Sequence, residues 1–386
     1  TTVQIHFTAP LSPTLALQYI DVTPVPTTTN VISYYTEYDG ADVQILWPMA
    51  PQTTYTVTIG GETGDNYGNT LGQDYTFRFT TGDFPPAIQT DLENFTHFTA
   101  FTTTVVAAYY RNVETIDAAL YRLPLAELYR LAGPNQWEVF QDYTIPDEAA
   151  NRVWARSYPA QTEANELGVE LLALQDEAGN DLPPGAYLLQ IERPPAAAEV
   201  DPNSGMPLPK RDSYVIVISN YNLVIKQSQI GDSLAWLTDL ATGEPVADAP
   251  VAFRHSTGVL AEGVTDADGL FMAAAPVPSE NTWEPVLAVS GAPGDEVFAV
   301  VSTEWAQGIA PWEFNIPSGY GEQTFQSFFY TDRPIYRPGD TVNWKGILRE
   351  VTDAGFRLPG DNVTIDVTVR DARGEEILKQ TYTPNE

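Results

Sequence analysis

Apolar and polar side chains alternate with a period of two along almost the whole chain. Tyr55, Val57 and Ile59 interleave with Thr54, Thr56 and Thr58, and Tyr75, Phe77 and Phe79 with Thr76, Arg78 and Thr80. Further on, Val363, Ile365, Val367 and Val369 interleave with Thr364, Asp366, Thr368 and Arg370. Successive side chains of a strand point to opposite faces, so such runs set one face on a core and the other in water, as antiparallel sheets require. Turn dipeptides such as Asp39-Gly40, Asp268-Gly269 and Pro338-Gly339 separate them, and 31 prolines with 27 glycines favour short strands over long helices. The best helical stretch is brief: Leu125, Leu128 and Leu131 at helical spacing, stopped by Gly133-Pro134. The prediction is an all-β fold, a tandem array of antiparallel β-sandwich domains.

Boundaries fall where strand patterns restart. A first domain spans 1–82 and ends on a strand before the stiff connection Asp83-Phe84-Pro85-Pro86. A second spans 83–220, with Tyr187–Ile191 and Tyr214–Ile218 forming an antiparallel pair across a long loop rich in Pro and Ala. A third spans 221–322, and a fourth, expected to be truncated, spans 323–386. A chain of 386 residues suits three or four sandwiches of roughly 100 residues each.

Charge narrows the partners. There are 51 acidic and 19 basic side chains, a formal net charge of −32. Phosphate binding needs clustered Lys and Arg, so this balance argues strongly against nucleic acid as a partner, and equally against an anionic membrane surface. With no cysteine, disulfides, thiolate metal sites and cysteine nucleophiles are absent from this sequence. No apolar run approaches the roughly 20 residues of a membrane helix, so direct membrane insertion is not expected. Thr1 opens inside a strand-like pattern without Met or leader, so a leader or lipid anchor is expected to lie in a longer parent chain.

The most specific stretch is Tyr330 to Arg349, which holds Tyr330, Asp332, Arg333, Pro334, Tyr336, Arg337, Pro338, Gly339 and Asp340. Pro338-Gly339 reads as a turn capped by Asp340, with Arg333 and Arg337 clamping it through carboxylates or carbonyls. Val342, Trp344 and Leu348 are expected to drive one face of the next strand inward. This stretch resembles the signature that opens an early macroglobulin domain in the α2-macroglobulin family. Upstream, Asn222–Lys226, Ala235–Val251 and Gly263–Phe271 resemble the macroglobulin domain preceding that signature in bacterial members. There, Thr242–Val246 reads as a hairpin turn, and Ala267-Asp268-Gly269 as a turn between paired strands. Gly64–Asn69 followed by Tyr75–Thr81 resembles a bacterial Ig-like module.

The resemblance implies the N-terminal part of a bacterial α2-macroglobulin: an Ig-like module followed by macroglobulin-like β-sandwiches, extracytoplasmic, on the cell surface, in the periplasm or secreted. It implies a broad-spectrum inhibitor whose partners are host or competitor proteases, met through the full-length protein. In that family a bait segment is cut and the surrounding domains then enclose the protease, and many members add a Cys-x-Glu-Gln thioester. Neither device is recognisable here. The pair Glu322-Gln323 has Tyr320, not Cys, two positions before Glu322. The alternative reading is a non-inhibitory surface adhesive or spacer array built from the same modules.

Candidate chemistry is sparse. Asp65, Asp74, Asp266 and Asp268 place carboxylates in loops as calcium ligands would be, yet Asp266-Ala267-Asp268-Gly269 lacks the third carboxylate and the distal Glu of an EF-hand loop. His6, His97 and His255 are each isolated in sequence. Ser256-Thr257-Gly258 and Ser290-Gly291 lack the pattern of a nucleophile elbow, and Glu375-Glu376 reads as a solvated pair beside a turn. Trp47, Trp137, Trp283, Trp305 and Trp312 are scattered over separate domains and read as packing residues. No catalytic residue, cofactor site or metal site is expected, and the chain reads as scaffold rather than enzyme.

Overall fold

The computed structural model describes residues 2–11, 17–25, 33–36, 41–133, 136–141, 143–194, 210–227, 231–277, 284–305, 325–337, 339–352, 355–360, 363–371 and 373–384. They fall into two compact units. One gathers Thr1–Leu131, Asn135–Asn220 and Ala292–Phe298; the other gathers Ala132–Pro134, Tyr221–Gly291 and Ala299–Glu386.

The first unit opens with β1 (Thr2–His6), a 3₁₀ turn at Leu17–Tyr19, β2 (Ile20–Thr23), β3 (Ser33–Thr36), β4 (Asp42–Leu46), β5 (Thr54–Ile59) and β6 (Tyr75–Thr80). They form two three-stranded antiparallel sheets, β1-β4-β3 and β2-β5-β6. Val43, Ile45 and Trp47 from one meet Val22, Tyr55 and Val57 from the other in a single apolar cluster. The threonines interleaved with the core residues pair across strands on the wet face, Thr54 with Thr80 and Thr58 with Thr76, their hydroxyl oxygens 2.8 and 3.1 Å apart. The alternation of β5 therefore reads as expected, whereas Tyr75 on β6 remains 57% exposed.

The same unit continues with β7 (Ala87–Thr90), β8 (Phe95–Thr99), β9 (Thr104–Arg111), β10 (Thr115–Arg122), α1 (Leu125–Leu131), α2 (Gln136–Gln141), α3 (Glu148–Asn151), β11 (Arg152–Pro159), β12 (Gly168–Leu174), β13 (Gly185–Glu192) and β14 (Arg211–Ser219). A five-stranded sheet, β11-β10-β13-β14-β8, shares its core with a three-stranded sheet, β12-β9-β7. The expected pairing of Tyr187–Ile191 with Tyr214–Ile218 is present, with Tyr187 opposite Ile216 and Leu189 opposite Tyr214. Most of the long loop between them lies outside the described residues. Pairing of β14 with β8 is parallel, which alternation along either strand cannot reveal because both pairings share the period of two.

Every residue of β13 from Gly185 to Ile191 is buried. Tyr187, Leu189 and Ile191 face the inter-sheet core. On the opposite face, Gln190 Nε2 donates to the Tyr143 carbonyl at 3.1 Å and to Ser213 Oγ at 3.0 Å, so the helical insertion covers this strand. The helix α1 forms as its spacing predicts, burying Leu128 and Leu131. The two short helices after it have no comparable apolar period and are set by packing against the sheet.

The second unit contains β15 (Tyr221–Gln227), β16 (Asp232–Asp239), β17 (Pro250–His255), β18 (Gly258–Val264), β19 (Leu270–Ala274), β20 (Leu287–Ser290) and β21 (Ala299–Ser302). Sheets β15-β16-β19 and β18-β17-β20-β21 pack through Phe253, which stacks on Phe271 with centroids 5.4 Å apart. Phe271 lies so close to Gly263 that a Cβ there would fall 2.4 Å from its ring. The turn at Thr242–Val246 closes a hairpin as expected: Thr238 bridges Pro245 in antiparallel register, the Asp239 amide donates to the Glu244 carbonyl at 2.9 Å and the Val246 amide to the Leu237 carbonyl at 3.1 Å. The turn at Asp266–Leu270 does not join paired strands: β18 and β19 belong to different sheets, so this turn switches layers, as sandwiches require at their ends.

Last come β22 (Phe325–Thr331), β23 (Trp344–Thr352), β24 (Gly355–Arg357), β25 (Ile365–Arg370) and β26 (Glu376–Tyr382). The first three form an antiparallel sheet and the last two a hairpin. Trp344 packs edge-on against Tyr382 at 5.3 Å, and Leu348 and Val367 are buried. Leu348 turns inward as expected and Trp344 is half-buried, but Val342 is 48% exposed. Val342 precedes β23, so the strand's alternation does not extend to it. No described helix is long and apolar enough to cross a membrane.

Candidate functional site

The carboxylates singled out in loops build turns. In Asp65–Asn69 the Asp65 Oδ1 accepts the amides of Tyr67 and Asn69 at 2.9 and 2.8 Å, while Oδ2 accepts the Asn69 side chain at 2.8 Å. Asp176–Asn180 repeats the pattern, with the Asn180 amide and side chain at 2.8 and 2.9 Å. Asp266 holds the amides of Asp268 and Leu270, and Asp371 those of Arg373 and Glu375. In all four a glycine three residues after the aspartate takes a left-handed backbone, with φ of 86°, 84°, 73° and 84°. These hydrogen bonds, the asparagine side chain's above all, hold Asp65 and Asp176 below the usual carboxylate range. Asp74 accepts from the Gly61 amide at 2.8 Å and belongs to a different turn. Among the described residues no three His, Asp or Glu are grouped so as to hold a metal ion.

The Tyr330–Asp340 loop is a knot centred on Asp332. Its Oδ1 accepts the Tyr336 hydroxyl and the Asn343 amide, the latter at 3.2 Å, and its backbone N–H donates to the Asn343 carbonyl at 3.0 Å. Arg333 bridges Asp332 and Asp340 at 3.5 Å each and lies over the Tyr336 ring, 4.8 Å from its centroid. The Arg337 amide donates to Asp340 Oδ2 at 3.1 Å, and Gly339 adopts φ 93°. Arg333 thus clamps the loop through two carboxylates, while Arg337 contributes its backbone. Pro338 lies outside the described residues. Tyr330 is half-exposed, and the pyrrolidine of Pro334 and the side chain of Ile335 are on the solvent side.

Donation from Tyr336, foremost, and from Asn343 holds the Asp332 carboxyl below its ordinary value of 3.8. A depressed folded-state pKa stabilises the folded loop at pH above the unfolded value, and that contribution is lost as pH falls below 3.8 through the folded value. The Asn343 amide is therefore expected to exchange slowly at neutral pH and to lose protection selectively at acid pH. Asp332→Asn should remove that acid-side change, read by hydrogen exchange at Asn343; an unaltered profile would refute the linkage.

Of the three histidines, His255 is buried. Its Nε2 lies 3.4 Å from Glu284 Oε2, and its Nδ1 meets the Thr257 hydroxyl at 3.1 Å. Ser256 Oγ also donates to the Glu284 carboxylate. His255 is isolated in sequence because no short motif links it to Glu284, which lies 28 positions from Ser256. The grouping does not form a catalytic relay. His255 Nδ1 also lies 3.3 Å from Ser256 Oγ, but Ser256 donates to the Glu284 carboxylate itself, and the imidazole has no solvent-exposed surface from which to meet a substrate.

A depression of about 440 Å³ lies over the five-stranded sheet of the first unit, lined by Asp117, Glu148 and Glu192 and by Arg152, Arg156 and Arg211. Tyr121 at its edge donates to Glu148 at 2.9 Å; burial, then Glu148, pushes the phenol up to about 12. Arg211 donates to Gln190 at 3.1 Å, and Arg156 stacks on Trp154 at 4.7 Å. Acidic and basic lining groups balance in number, and the described lining residues include no histidine to act as a base near neutral pH. Trp47 is a core residue, Trp305 is half-buried, the Trp137 side chain falls outside the described atoms, and Trp283, Trp312 and the pair Glu322-Gln323 lie outside the described residues. Glu375 and Glu376 are exposed.

Comparison with known proteins adds the following. The family model of the bacterial α2-macroglobulin MG3 domain matches residues 218–320, that of the MG2 domain residues 326–386, and that of a bacterial Ig-like domain residues 1–81. An α2-macroglobulin homolog of Yersinia pestis is 29% identical over 169 residues, 42% of this chain and 8% of the relative. An α2-macroglobulin of Ralstonia nicotianae is 30% identical over 172 residues, 43% of this chain and 9% of the relative. The matched stretch thus spans less than a tenth of either curated protein. A crystal structure of a Salmonella α2-macroglobulin mutant aligns with 100% of this chain and 22% of its own, at 17% identity and a TM-score of 0.55, a likeness of fold.

Proposed function

The chain belongs to the bacterial α2-macroglobulin family, and from that premise we propose that it is scaffold for a broad-spectrum protease inhibitor that traps proteases after bait cleavage. The observation that carries this reading is the order of matched domains: bacterial Ig-like at 1–81, MG3 at 218–320 and MG2 at 326–386. Two curated relatives with α2-macroglobulin descriptions align with the chain over 42% and 43% of its length. The proposal includes a division into sandwiches at 1–82, 83–220, 221–322 and 323–386. Separate apolar clusters in the first two of these stretches support it.

In this reading the modules contribute stiffness and spacing, and the parent protein works outside the cytoplasm against attacking proteases. The chain itself is not an enzyme. The acidic surface keeps it hydrated and apart from nucleic acid, since −32 of formal charge repels phosphate.

Mixing the purified chain with trypsin at equimolar ratio is expected to leave trypsin's hydrolysis of a protein substrate unchanged, because no bait is recognisable in this sequence. A longer protein carrying these domains should be cut in one central segment, retain the trypsin, and shield it from large but not small substrates. Stoichiometric inhibition by the isolated chain would overturn the scaffold role. Fragmentation of the longer protein at ordinary linkers, without retention, would favour a spacer array.

A further inference from the structure

The described part of the chain has five non-glycine residues with a left-handed backbone, and three of them converge on one short linker. Gln52 (φ 49°), Asn112 (φ 55°) and Asn165 (φ 71°) sit in three different loops, after β4, after β9 and before β12. All three reach the segment Gly82–Phe84, which joins the β1–β6 sandwich to the β7–β14 sandwich within the first unit. Asparagine tolerates the left-handed region better than most residues, but a cluster of such residues persists only where surrounding bonds hold it.

The bonds form a closed set. Asn165 Oδ1 accepts the Phe84 amide at 2.8 Å, and Asn165 Nδ2 donates to Asp83 Oδ1 at 2.8 Å. Asn112 Nδ2 donates to the Phe84 carbonyl at 2.7 Å, and Asn112 Oδ1 accepts the Asn165 amide at 2.7 Å. From the other sandwich, Gln52 Nε2 donates to Asp83 Oδ1 at 2.9 Å, and the Gln52 amide donates to the Gly82 carbonyl at 3.1 Å. The Arg111 guanidinium lies 4.2 Å from the centre of the Phe84 ring. Both backbone groups of Phe84 are thus taken by asparagine side chains, and Asp83 Oδ1 is shared by side chains of the two sandwiches. A linker of this length joined only by its peptide bonds would swivel at Gly82.

We propose that Asn165, Asn112 and Gln52 form a latch that fixes the first sandwich on the second, so that the two move as one body. The inference rests on this geometry alone and stands whether or not the parent protein inhibits proteases. The roles are specific to the amide groups. Asn165→Asp would replace the donor facing Asp83 with a carboxylate and set two negative charges against each other. Asn165→Gly would keep the left-handed backbone and the amide bond to Asn112 while deleting the side-chain bonds to the linker.

The absence of cysteine from the sequence allows paired spin labels at Thr76→Cys on β6 and Ser157→Cys on β11, both exposed. In the otherwise unaltered chain the label-to-label distance should form one narrow peak. Asn165→Asp, Asn165→Gly and Asn112→Ala should each lose that peak to a broad distribution while far-ultraviolet circular dichroism stays unchanged. A broad distribution in the parent chain, or a peak that stays narrow in the folded variants, would overturn the latch. If Asn165→Asp fails to fold, Asn165→Gly and Asn112→Ala decide the matter, because neither introduces a charge.

Discussion

Phe253→Ala is expected to destabilise the β15–β21 sandwich by about 3–5 kcal/mol, the range for deleting a buried aromatic side chain. Phe253 has no exposed surface, sits on β17 opposite Ala261 and Ala288, and stacks on Phe271 from the facing sheet. Truncation removes both the area buried from water and the contact that joins the two sheets, and Gly263, with no side chain, cannot fill the void. Amide hydrogen exchange in β16, β17 and β19 should accelerate by several orders of magnitude, each factor of ten being about 1.4 kcal/mol. Phe253→Leu should recover much of the protection. A loss below about 1 kcal/mol would mean the sheets are not held together here.

Trp154→Ala is expected to have a comparable effect, about 3–5 kcal/mol, on the β7–β14 sandwich. Trp154 is 2% exposed within the core cluster, its Nε1 donates to the Gln175 carbonyl at 2.8 Å, and Arg156 lies 4.7 Å over its ring. The variant therefore loses packing, a hydrogen bond and a cation–π contact together. Trp154→Phe separates them: it keeps most of the ring volume but leaves the Gln175 carbonyl without its donor, a cost of about 1–3 kcal/mol. Urea unfolding followed by hydrogen exchange in β10 and β12 reads both. If Trp154→Phe proved as costly as Trp154→Ala, the hydrogen bond rather than burial would dominate this site.

The fold was largely legible where alternation is strong. The Tyr55, Val57, Ile59 series, the Tyr187–Ile191 with Tyr214–Ile218 pair and the Leu125–Leu131 helix all appear as their periods predict. What escaped has a common cause: it depends on which strand lies beside which. The turn at Asp266–Leu270 has good turn residues, and a turn's residues look alike whether the next strand pairs with the last or crosses to the other sheet. The exposure of Val342 follows from where β23 begins, a matter of pairing with β22.

Candidate chemistry divides the same way. Composition alone disfavoured nucleic acid and removed thiolate chemistry, because net charge and residue type need no coordinates. That Asp65, Asp176, Asp266 and Asp371 serve their own turns was half-visible in the glycine three residues on. The meetings of His255 with Glu284, and of Asn112 and Asn165 with Asp83 and Phe84, join residues from 28 to 82 positions apart and have no local signature.

By itself, then, the order of residues determined which faces are apolar and where strands and turns occur. Those properties follow from side-chain hydrophobicity and local backbone preference, each acting over a few residues. Tertiary structure decided strand order, the parallel pairing of β8 with β14, the layer-switching corner at Asp266–Leu270 and the asparagine contacts at the linker. Such features arise only when distant segments compete for the same neighbours, and the winner is set by packing and hydrogen-bond satisfaction across the whole domain.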